Sequence, residues 1–173
     1  NMGVKKDLFK RLGGFSKMRF GEDIDLSIRI FESGSSCRLF PEAWVCHKRR
    51  TDFRKFFKQV HNSGIARINL YKKHPSSLKA VHMLPAAFTI SAAIMLICGF
   101  ICPWAWLPLL AYAVLIFCDA LLHCRTGLGV ALLSVVAAFV QLTGYGSGFL
   151  RAWWERCVLG RGEIQAYRKN FYK

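Results

Sequence analysis

Between Met83 and Leu150 the chain carries only two charged side chains, Asp119 and Arg125. A helix rises about 1.5 Å per residue, so roughly 20 apolar residues reach across a hydrocarbon core of about 30 Å. Cys102-Pro103 and His123-Cys-Arg125 divide the stretch into three apolar segments, 83–101, 104–122 and 127–150. Trp104 and Trp106 sit where interfacial aromatics belong. The flanks are basic: residues 1–82 hold 18 basic and 7 acidic side chains, and residues 151–173 hold 6 and 2. A basic part, a membrane part and a basic tail exclude disorder, a secreted disulfide scaffold and an ordinary soluble enzyme.

Basic residues on both sides of the apolar region conflict with three full spans, because the positive-inside rule places both flanks on the cytoplasmic side. Either the tail is translocated or one stretch is re-entrant. The glycines of Gly144-Tyr-Gly-Ser-Gly148 point to the third, 127–150, as the interrupted one. Asp119 reads as a carboxylate snorkelling to the headgroups, with a role in an acceptor or lipid pathway as the other reading. Gln141 reads as an interhelical hydrogen-bond partner.

Residues 51–82 place Phe53, Phe56, Phe57 and Val60 on one helical face and Arg54, Lys55 and Lys58 on another, with Thr51 as N-cap. Gly64 is a point of bending, after which Ile65, Ile68 and Tyr71 continue the apolar face. The pattern suits a helix lying in the bilayer interface; packing of the Phe face on a soluble domain is the alternative. The seven cysteines are odd in number and form no Cys-x-x-Cys pair. They read as free thiols rather than disulfides or a zinc site. The chain opens Asn1-Met2-Gly3 without an initiator Met, and reads as a piece whose upstream part is missing.

In residues 1–50 the sequence predicts a short helix from Asp7 to Leu12, stopped by Gly13-Gly14. A second helix runs from Glu22 to Ser33, with Ile24, Ile28 and Phe31 at helical spacing, Leu26 and Ile30 widening the stripe, and Gly34 at its end. Residues 37–40 and 43–47, around Pro41, read as two short strands or extended segments. Glu22, Asp23 and Asp25 fall in the first turn of the second helix. Free backbone N–H groups and the macrodipole stabilise acids there, so capping alone accounts for them.

The run Asn1-Met-Gly-Val-Lys-Lys-Asp-Leu-Phe-Lys-Arg-Leu-Gly-Gly-Phe15, then Gly21-Glu-Asp-Ile-Asp-Leu-Ser-Ile-Arg29, then His47, resembles the acceptor-side half of a family 2 glycosyltransferase. That resemblance covers residues 1 to about 75, and 76–173 resemble the membrane tail of membrane-bound members. It implies an α/β fold, the acceptor-side half of a GT-A domain, over residues 1–50. Amphipathic interfacial helices (51–82), a transmembrane region (83–150) and a basic tail (151–173) follow, so the chain is mostly helical overall. It implies Asp23 as general base with Glu22 as its structural or acceptor-orienting neighbour, and Gly13, Gly14 and Phe15 as the loop shaping the acceptor and donor pocket. It further implies His47 as a ligand to a divalent metal, Mg or Mn, and Arg49 and Arg50 as diphosphate contacts. The metal's Asp-x-Asp ligands are expected upstream of residue 1. The implied partners are a nucleotide-sugar donor, a saccharide or lipid-linked acceptor and membrane lipids, at the cytoplasmic face of a membrane such as the bacterial inner membrane.

An inverting transfer needs one carboxylate to take the acceptor's proton, and cations to stabilise the leaving nucleoside diphosphate. Asp23-Ile24-Asp25 does not supply the missing Asp-x-Asp, because residues two apart on a helix diverge by about 200°. The expectation is that this chain alone transfers no sugar. The rival reading is a non-catalytic membrane anchor whose basic segment binds anionic lipid. A nucleic-acid binder is disfavoured because the basic residues adjoin spans rather than a reading module. No internal repeat supports a transporter.

Overall fold

The protein is described by a computed structural model over residues 2–18, 20–46, 52–124 and 127–163. It separates into two compact units, one holding the described residues up to 46 and the other those from 52 to 163. The first unit contains α1 (Lys6–Arg11) and α2 (Glu22–Glu32). The second contains α3 (Phe53–Lys73), α4 (Leu84–Cys98), α5 (Leu107–Cys124) and α6 (Leu128–Trp153), which runs on into a π-helical turn, Trp154–Val158.

The expected α/β half of a GT-A domain is not what residues 1–50 form: among the described residues there is no strand. Residues 35–40 and 43–46 are irregular on either side of a turn at Pro41-Glu42. Strand propensity is realised against neighbouring strands, and none is present to pair with Leu39, Phe40, Trp44 and Val45, which remain exposed.

The amphipathic stretch folds as one helix. Asp52, rather than Thr51, caps α3, its carboxylate accepting the Arg54 N–H at 2.8 Å. Gly64 does not interrupt α3, which runs unbroken through it. It is a contact: a Cβ there would overlap the backbone of Tyr145 and Phe149. Gly148 faces the His61 carbonyl and Gly144 faces Val60, so glycines on both helices let α3 and α6 approach closely. Gly146, turned the other way, lies against Pro85 and Thr89 of α4. The Gly-Tyr-Gly-Ser-Gly run is thus a two-sided packing surface inside a continuous α6, not an interruption. Around it Ile65, Ile68, Ala86, Phe149 and Ala152 form the core of this unit. The Phe-bearing start of α3 contributes less, for Phe53 and Phe57 stay exposed.

Three segments are long and apolar enough to cross a membrane: Ala80–Cys98, Pro103–His123 and Leu128–Val158. In the most apolar 18 residues of each only 6% to 11% is buried within the molecule, so most of that apolar surface is left exposed, as suits a lipid environment. The third has 31 residues, which at about 1.5 Å each exceeds the hydrocarbon core by a third or more, and α3 packs on its glycine-bearing end. Between the first two, Trp106 donates to the Leu96 carbonyl at 3.3 Å and covers Gly99, closing the hairpin, while Trp104 is exposed. Asp119 pairs with His123 one turn on, at 3.0 Å near the end of α5. Gln141 is exposed rather than held in an interhelical hydrogen bond.

Candidate functional site

Gly13 and Gly14 both take positive φ, 76° and 71°, where a side chain would strain the backbone, and so turn the chain sharply off α1. Phe15 then packs edge-on against Phe9 of α1, ring centroids 5.5 Å apart. The carbonyls released by this turn are taken up by α2. Arg29 donates from Nη1 to the Leu12 carbonyl at 2.5 Å and from Nη2 to the Gly14 carbonyl at 2.7 Å. Its Nε and Nη2 also meet the Asp25 carboxylate at 2.9 and 2.8 Å. Asp25 is fully buried. This pair, with Leu26 and Ile30 beside it, fastens the glycine loop to α2. Burying each of those side chains contributes roughly 1.5–3 kcal/mol.

The stripe on α2 therefore differs from the expected one. Leu26 and Ile30 face inward with Asp25 and Arg29, whereas Ile24 and Phe31 are exposed. Asp23 lies with Ile24 on the exposed side, and Glu22 is half-buried. Gly21, the N-cap, supplies no side chain, so the acids of the first turn, Glu22, Asp23 and Asp25, stand by the free N–H groups at the helix start. Asp23 and Asp25 point to different surroundings, one exposed and the other buried. Among the described residues no group of three His, Cys, Asp or Glu could hold a metal. His47, Arg49 and Arg50 lie outside the described residues.

The structure thus joins Gly13, Gly14 and Phe15 to the helix that carries Glu22 and Asp23, through a residue pair the motif reading did not single out. The signal for that pair was present: Asp25 and Arg29 are four apart, the spacing at which helical side chains meet.

No protein-family profile matches the chain. Over 72 residues, 41% of its length, the chain is 33% identical to the pre-mycofactocin glycosyltransferase of Mycobacterium tuberculosis, in strains CDC 1551 / Oshkosh and ATCC 25618 / H37Rv. Part of this chain is similar to a glycosyltransferase. The chain spans 15% of the length of these curated relatives. No solved structure matches it.

Proposed function

We propose that the protein acts as a membrane-bound glycosyltransferase of the family 2 kind, moving a sugar from a nucleotide-sugar donor to a saccharide or lipid-linked acceptor at the cytoplasmic membrane face. The similarity to a glycosyltransferase over 72 residues carries this reading. Exposed Asp23, on the helix to which the glycine loop is fastened, supports the assignment of roles. In the proposed inverting step the acceptor oxygen forms a bond to the anomeric carbon as its proton passes to Asp23. The anomeric carbon–oxygen bond to phosphate breaks, and the electron pair leaves with the nucleoside diphosphate. Glu22 orients the acceptor, and Gly13, Gly14 and Phe15 shape the pocket. His47 as ligand to a divalent metal, with Arg49 and Arg50 at the diphosphate, completes the proposal on sequence grounds alone.

Loss of a general base lowers turnover by about 10²–10⁴-fold. Asp23→Asn, assayed in membranes carrying the full-length protein, is therefore expected to lose transfer by that order while nucleotide-sugar binding is retained. Turnover equal to the unaltered protein would remove Asp23 from the role of base.

A further inference from the structure

Where α3, the approach to α4 with its first turn, and α6 meet, they line a half-open cavity of about 360 Å³. Its polar lining comes from Ser63, Arg67, His82, Gln141 and Tyr145, and none of the described residues lining it is acidic. Among the described residues, Arg67 Nε is buried without a hydrogen-bond partner, and the buried Tyr145 Oη, which the Arg67 guanidinium approaches as a donor, has no acceptor for its own proton. Buried donors are nearly always satisfied, so two orphans lining one cavity mark a place for acceptor oxygens. His82 adds a third donor. Its Nδ1 accepts the Lys79 N–H at 3.0 Å, which leaves the ring proton of the neutral imidazole on Nε2. The Ser63 hydroxyl is already committed to the Gln59 carbonyl.

A cation and several unpaired donors, with no carboxylate, select an anion with several oxygens. A guanidinium fork fits phosphate. The position selects its source. Val81, His82 and Pro85 belong to the first turns of the Ala80–Cys98 candidate span, where the chain passes from the basic flank, ending in Lys79, into apolar sequence. That is headgroup depth. Val60, Val81 and Leu142 give the cavity an apolar wall suited to the glycerol and upper acyl region of a lipid. We propose that this cavity binds the phosphate headgroup of an anionic membrane lipid, with Arg67 as its main contact and Tyr145 and His82 as further donors. The site stands whether or not the protein transfers sugar.

The test is native mass spectrometry of the protein in detergent micelles, titrated with phosphatidic acid or with phosphatidylcholine, and with inorganic phosphate as competitor. Phosphatidic acid is expected to bind in preference to phosphatidylcholine. Arg67→Gln should weaken that binding by about tenfold or more, the equivalent of one charge-assisted hydrogen bond. Tyr145→Phe, nearly isosteric and so a variant that keeps the packing, should weaken it by about threefold. Lys72→Gln, which removes the same charge from an exposed position, should leave it unchanged. Equal binding of the two lipids, or unaltered binding by both Arg67→Gln and Tyr145→Phe, overturns the proposal. Displacement of the lipid by inorganic phosphate also overturns it, since it assigns the cavity to a soluble anion.

Discussion

Arg29 holds two carbonyls of one segment and a buried carboxylate of its own helix in a single planar fork. Removing it takes away the cation that meets the buried Asp25 carboxylate, and breaking a buried pair costs about 3–5 kcal/mol. Arg29→Ala is expected to release the glycine loop, seen as faster proteolysis between Leu12 and Phe20, while Arg29→Lys rescues only part because an ammonium cannot span all three acceptors. Unchanged proteolysis in Arg29→Ala would show that the loop is held by other means. His61 is the second such residue. It contacts Ser147 at 3.1 Å and stacks on Phe57, and burial, reinforced by the charge of Arg151, lowers its pKa. The folded state therefore prefers the neutral ring. Stability from this source is complete above the ordinary His value of about 6.5 and is lost as pH falls through the lower folded value. Thermal unfolding in detergent should drop on acidification below about pH 6.5, and His61→Gln should flatten that drop. An identical pH profile in the variant would assign the effect elsewhere.

At the scale of elements, α6 decides how the second unit packs. Gly148→Leu would drive a side chain into the α3 backbone, and overpacking of this kind costs typically about 1–3 kcal/mol. Gly129 lies on the same helix with open space around it, so Gly129→Ala is expected to be neutral or stabilising by about 0.5–1 kcal/mol. Melting temperatures of the two variants check this; a Gly148→Leu protein as stable as Gly129→Ala would mean the helices do not approach as described. The existence of α3, α4, α5 and α6 was legible in hydrophobic spacing and absent charge. What the glycines do was not, because a small residue looks the same in sequence whether it breaks a helix or admits a neighbour. The stripe on α2 was misread for a related reason. Ile24, Ile28 and Phe31 lie on one side of the helix and Leu26 and Ile30 nearly opposite, and only tertiary contact chooses between them. The β-prone Trp44 and Val45 failed as strand because that propensity depends on a partner strand.

Across the whole molecule, one unit carries an exposed acid at a helix start and the other carries three helices long and apolar enough to cross a membrane. Motif order in the sequence singled out Glu22, Asp23 and the glycine loop as candidates, and the structure added Asp25 and Arg29 as the pair that holds the loop to α2. The role of Asp23 as base remains chemistry rather than geometry, and chemistry tests it. The most direct measurement is transfer of labelled sugar from a panel of nucleotide sugars by membranes carrying the full-length protein, not these 173 residues alone, with the anomeric configuration of the product read by NMR. The account predicts transfer from at least one donor, with inverted configuration, and its loss by about 10²-fold or more in Asp23→Asn. No transfer from any donor, or transfer that Asp23→Asn leaves intact, would contradict it.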